Sequence, residues 1–172
     1  MEKEVVKLSF KNVFCSFYYE SAFIKKSELA EYKEWINYAL EAIDDFSDLK
    51  KELYINLSLT SDQEIKEINQ ESRGKDSITD VLSFPMEENI RKGEYDDFLP
   101  ELDVGDILIC KSLCEAQAKE FKISYMEEFV HLFMHGFLHV WGYDHEINEE
   151  EEKLMTKLEE DLIKKISEIK NS

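Results

Sequence analysis

The chain has 172 residues, near the size of one domain, and with 43% hydrophobic and 12% aromatic residues it can fill a single core. Its 39 acidic residues outnumber 21 basic ones, and the formal net charge of -18 opposes non-specific attraction to nucleic acid. There is no internal repeat or low-complexity tract, no apolar run of about eighteen residues that could span a membrane and, in "MEKEVVKLSF", no basic flank followed by the apolar run of a secretory signal, so one cytoplasmic domain over residues 1–172 is expected.

In chain order, Val5 to Phe10 reads as a first strand, followed by a helix around residues 27–43. There Leu29, Tyr32, Trp35, Ile36, Ala39, Leu40 and Ile43 recur at helical spacing and Ser27 is a candidate cap. "ELYINLSLT" is the clearest strand, because Leu53, Ile55, Leu57 and Leu59 alternate with Tyr54, Asn56, Ser58 and Thr60. Ser61, with Glu64 three residues on, then opens a short helix with Ile65 and Ile68 on its apolar side.

The polar loop of "RGKDSITDVLSFP" runs into an apolar stretch, Val81 to Phe84, which Pro85 ends or confines to a sheet edge. Residues 87–103 are charged and irregular, "VGDILICKS" reads as a strand, and "LCEAQAKEF" as a helix. Ser124 and Glu127 form a capping box at the head of a helix, Tyr125 to Trp141, that is apolar around nearly its whole circumference and therefore belongs inside the protein. Gly142 ends it, and a final amphipathic helix fills roughly 148–168. The mixed order of elements predicts an α+β fold: a mixed sheet of about four strands around a buried central helix, with further helices outside. Cys15, Cys110 and Cys114 are an odd number without a C-x-x-C pair, so buried reduced thiols are expected.

Three of the four histidines fall in "HGFLHVWGYDH". His135 and His139 are four apart, on one helical face and one turn from each other, and Gly142 turns the chain so that His145 can come back to the same point. Three neutral imidazoles around one zinc ion leave a fourth position open, the arrangement of a catalytic site. His131, a further turn upstream on the same face, is a candidate fourth ligand, but its span along the axis to His139 favours support of the ligands from outside. The spacing H-x-x-x-H-x-x-G-x-x-H is zincin-like and matches that of metzincin peptidases. Gly136, however, stands where their general-base glutamate would be.

"HGFLHVWGYDH" also resembles the H-G-x-L-H-x-x-G-Y-D-H signature of the YbeY family, single-strand-specific endoribonucleases of ribosomal RNA maturation. "INQESRGKDSITDVLSFP" is similar to that family's N-x-x-Y-R-x-K-D-x-P-T-D-V-L-S-F-P block, and "VGDILIC" to its L-G-D-I-x-I-x strand. Ser72 and Ile78 depart from the usual Tyr and Pro, and the stretch "FYYESAFIKKSELAEYK" fits the family poorly and reads as a local elaboration. The resemblance implies one zinc ion per chain held by His135, His139 and His145, with Arg73 as the functionally important arginine. It also implies action on single-stranded and ribosomal RNA, in 16S 3′-end processing and ribosome quality control, with ribosomal subunit proteins as partners. Arg73 offers a planar fork suited to phosphate, and Lys75 could add to it. Asp80, Asp144 and Glu146 are carboxylates near the motifs, and nothing in the spacing selects a general base among them. A metzincin-like zinc peptidase and a non-catalytic zinc-containing, ribosome-associated factor are the competing readings.

Overall fold

The computed structural model describes residues 2–172. The fold is α+β, with a five-stranded mixed sheet and five helices. The strands are β1 (Lys3–Phe10), β2 (Val13–Glu20), β3 (Glu52–Thr60), β4 (Val81–Pro85) and β5 (Glu101–Cys110). They lie in the order β1-β2-β3-β5-β4. The pairs β2–β3 and β3–β5 are parallel, while β1 and β4 run antiparallel at the two edges. The helices are α1 (Lys26–Phe46), α2 (Asp62–Arg73), α3 (Lys111–Phe121), α4 (Tyr125–Trp141) and α5 (Glu149–Asn171).

The sheet therefore has one strand more than the sequence pattern suggests. The missed strand is β2, "VFCSFYYE". Val13, Cys15, Phe17 and Tyr19 point into the core, but Phe14 and Tyr18 on the other face are aromatic too, so the polar half of the alternation is blurred. Phe14 stacks on Tyr54 of β3 with ring centroids 4.9 Å apart. The first helix starts after Lys25, whose backbone N–H donates to the Glu28 carboxylate at 3.0 Å, and Ser27 lies inside its first turn instead of capping it. β5 begins three residues earlier than the pattern marks, and a 3-10 turn, Ile90–Lys92, interrupts the irregular stretch before it.

One face of the sheet carries the main core. Helix α4 lies against β4 and β5 and touches α1, α3 and α5. Phe129, Phe133 and Phe137 of α4 are fully buried, each contributing roughly 1.5–3 kcal/mol of transfer free energy. A smaller cluster on the other face packs Ile65 of α2 onto Leu82 and Cys110. All three cysteines are free and buried, and burial pushes the Cys15 and Cys114 thiols up to about 12, which leaves them protonated and inert.

Candidate metal centre and cleft

Apart from Glu127 in its first turn, helix α4 carries its charged and imidazole side chains on one stripe. Glu128, His131, His135 and His139 follow one another at intervals of three, four and four residues and so share a side of the helix. The head of the helix is fixed by the capping box: Ser124 Oγ accepts from the Glu127 N–H at 3.1 Å, and Glu127 Oε1 accepts from the Ser124 N–H at 3.2 Å. At its end Gly142 takes φ 123°, a conformation that side chains disfavour, and its N–H closes on the carbonyls of Leu138 and His139. The chain turns there, and His145 comes back over the last turn of α4.

The three rings then converge. Ring centroids are 4.8 Å apart for His135 and His139, 5.0 Å for His139 and His145, and 5.4 Å for His135 and His145. One ligand nitrogen from each lies within 4.8 Å of the others, the single group of this kind among the described residues. Two further observations suit a cation. Burial, and after it the neighbouring His135 and His145, lowers the His139 pKa to about 4, so this imidazole keeps a free lone pair at neutral pH. Nδ1 of His145 is buried without a hydrogen-bond partner. The set could hold a metal ion.

His131 stands outside the triad. Its Nδ1 lies 2.8 Å from Glu128 Oε1 and its Nε2 meets Glu159 Oε1 of α5. The second oxygen of Glu159 lies 2.8 Å from Nδ1 of His135. Glu128 is wholly buried. The hydrogen bonds to Glu128 and Glu159 raise the His131 pKa to about 10. Glu159 is held at about 2: burial pushes it up, and the hydrogen bonds from His131 and His135 outweigh that. The sequence reading did not find Glu159, although α5 carries the signal. Met155, Leu162 and Ile166 form its buried stripe, and Glu159 is the carboxylate at the intervening position.

A second brace holds the turn that carries His145. Arg91, in the 3-10 turn, makes two hydrogen bonds to the Glu151 carboxylate, at 2.7 and 3.2 Å, and its guanidinium lies 4.3 Å from the Tyr143 ring centroid. Asn89, two residues before Arg91, presses so close to Gly142 that a Cβ there would come within 2.1 Å of its Oδ1.

A cleft of about 410 Å³ opens over the triad, lined on the far side by Arg73 and by Thr79 to Phe84. Arg73 is the last residue of α2, placed there by the helix and not by the loop after it; Gly74 ends the helix in the left-handed conformation. Lys75, the other cation considered from sequence, does not line the cleft. Asp80 is engaged in holding its own loop, accepting from the Val81 N–H at 2.8 Å and from Gln117 at 3.2 Å. Asp144 accepts the Glu146 N–H at 2.9 Å and so shapes the turn before His145's neighbour. Gly136 sits at the back of the site, where a Cβ would lie 2.7 Å from Cγ2 of the buried Ile107 on β5, so this closeness of helix and sheet leaves no room for a larger residue.

The sequence model of the family described as Endoribonuclease YbeY matches residues 19–167. Among curated proteins, the chain is 38% identical to "Endoribonuclease YbeY" of Persephonella marina over 78% of its own length and 83% of that protein. It is 35% identical to the protein of the same name from Bacillus subtilis, over 82% of this chain and 88% of that one. Among solved structures, the solution structure of TM1509 from Thermotoga maritima superposes with a TM-score of 0.55 at 30% identity, covering 83% of this chain and 84% of the other.

Proposed function

Because the chain belongs to the endoribonuclease YbeY family, we propose that it is a zinc-dependent hydrolase of single-stranded RNA, with His135, His139 and His145 as metal ligands and Arg73 as the residue that engages the scissile phosphate. The observation that carries this reading is the convergence of three imidazoles at the floor of a cleft whose opposite wall presents a guanidinium. Zinc, when bound, supplies Lewis-acid polarisation of a phosphoryl oxygen and brings the pKa of water toward neutrality. The chain's own residues do the rest. Arg73 can hold a phosphate through a planar, charge-assisted fork. Gly142 and the Asp144 turn keep His145 opposite α4.

Charge explains how so acidic a protein can accept RNA. The cleft sets one guanidinium against the carboxylates of Asp80, Asp144 and Glu146, so without a cation it repels phosphate. A divalent ion on the histidines would bring the cleft near neutrality while the acidic helices outside still discourage indiscriminate binding. RNA binding, and not cleavage alone, should therefore need the metal.

By the same resemblance the biological setting is ribosomal RNA maturation in the cytoplasm, with 16S 3′-end processing, ribosome quality control and contacts to ribosomal subunit proteins, all served by one domain. The peptidase alternative keeps the ligand spacing of zincins and loses its base: the packing of Gly136 against Ile107 has no space for a glutamate. The deciding experiment measures cleavage of a ribosomal RNA fragment by the natural protein and by His139→Ala, with zinc content determined on both. Cleavage and zinc lost together support the reading. A zinc-loaded natural protein that cleaves no more than the variant would leave the non-catalytic, ribosome-associated factor.

A further inference from the structure

Helix α5 reaches the metal centre through one side chain. Glu159 lies on the buried stripe of α5, with its side chain only 17% exposed, and places one carboxylate oxygen against each of two histidines of α4. We infer that Glu159 is a positioning residue: by accepting a hydrogen bond from Nδ1 of His135 it fixes that ring as the Nδ1–H tautomer and aims Nε2, with its lone pair, at the centre of the triad. The inference rests on the assignment of His135, His139 and His145 as the metal ligands.

The argument is one of donors and acceptors. An ionised carboxylate can only accept, so a neutral imidazole 2.8 Å from it must present its N–H there, and its lone pair then falls on the other nitrogen. The ring cannot swing away easily, because Glu159 is itself held. Its other oxygen meets Nε2 of His131, and the opposite nitrogen of His131 lies 2.8 Å from Glu128, whose side chain is buried in the first turn of α4. With a carboxylate at each ring nitrogen, His131 donates from both and acts as the spacer that keeps the buried Glu128 and the half-buried Glu159 carboxylates apart. Glu128, His131, Glu159 and His135 thus form one chain that ends on a ligand and is anchored in two helices. This also explains why a helix so apolar carries a fourth histidine that does not join the triad. A carboxylate behind a ligating imidazole makes it more basic and orders it before the ion arrives, and losing such a partner typically costs about 10–100-fold in metal affinity.

The test needs no RNA. In the metal-free natural protein at about pH 8, where an ordinary imidazole is neutral, long-range proton–nitrogen correlation should show His135 as the Nδ1–H tautomer; finding Nε2–H overturns the assignment. Zinc affinity is then measured by competition with a chromophoric chelator for the natural protein, Glu159→Gln and Glu159→Met. Methionine suits an apolar stripe and offers no acceptor of comparable strength, so Glu159→Met should bind zinc about 10–100-fold more weakly. Glu159→Gln keeps an oxygen for His135 and should recover part of the loss. Equal affinity in Glu159→Met and the natural protein overturns the proposal, and so does a glutamine variant no better than methionine. Should Glu159→Met fail to fold, the tautomer of the natural protein and the glutamine variant still decide. A natural protein that binds no zinc refutes the ligand assignment; one that binds zinc with the expected losses but leaves RNA intact refutes only the nuclease reading.

Discussion

The two walls of the cleft are built in opposite ways. On one side His135 and His145 are each tied from behind: His135 through Glu159, and the His145 turn through Arg91, which reaches both Tyr143 and Glu151. On the other side Arg73 is exposed at the end of α2 and makes no ion pair among the described residues; only the loop beyond it is fastened, by Asn69 to the Ser77 carbonyl and by Asp80. The contrast matches two different tasks. A metal ion requires its donors within a few tenths of an ångström, so their rotamers must be settled in advance. A phosphate on a flexible strand is better met by a long side chain that still has freedom to adjust, with its charge unspent on a neighbour.

That division is broken most directly by exchanging the sites of damage. His139→Ala removes a ligand, so zinc binding should fall by more than about 100-fold, beyond the range for an outer partner, and cleavage should vanish with it. Arg73→Glu should leave zinc stoichiometry and affinity intact while kcat/KM for RNA drops about 10–100-fold, the weight of one charge-assisted contact. Metal analysis and kinetics on the same preparations separate the two. An Arg73→Glu protein that loses its zinc would mean that the walls are not independent.

How far the sequence shows this arrangement depends on whether the information is local. The triad is legible because its ligands sit within one helix and one turn, where spacing translates directly into geometry; the same holds for the Ser124 cap and for Gly142. The strand β2 is hidden because both its faces carry aromatics, which blurs the alternation; its pairing with β1 across a tight turn is local, and only its pairing with Leu53 to Leu59 on β3 is distant. Glu159 and the Arg91–Glu151 pair are hidden because their partners are 24 and 60 positions distant in sequence. A charge on an apolar stripe could have flagged Glu159, but among so many glutamates in α5 its register stands out only once the buried face is known. Gly136 shows the reverse: its absence of a side chain was legible, and its cause, the approach of α4 to Ile107, was not.

The braces of the histidine wall themselves can be graded. Arg91→Ala leaves all three ligands in place but frees the turn after Gly142, so zinc should bind about threefold to tenfold more weakly, below the typical loss for a direct partner. Chelator competition measures it, and an unchanged affinity would show that Gly142 and the Asp144 turn hold His145 without help.

The smallest expected effect concerns pH. The folded pKa of His131 is raised from 6.5 to about 10, chiefly by Glu128 and then by Glu159, so the folded state holds its proton more tightly than the unfolded chain does. Its stabilising contribution is accordingly full below about pH 6.5 and is lost as pH rises through about 10. Thermal unfolding of metal-free protein should show the natural chain ahead of His131→Gln by a constant margin in mild acid, with the margin closing across the alkaline range. Arg73→Lys, on the unbraced wall, should give a difference from the natural protein that does not vary over the same range, because position 73 is exposed and makes no ion pair among the described residues. A His131→Gln margin equally flat in pH would place the imidazolium outside the brace and reduce the histidine wall to the packing of α4 alone.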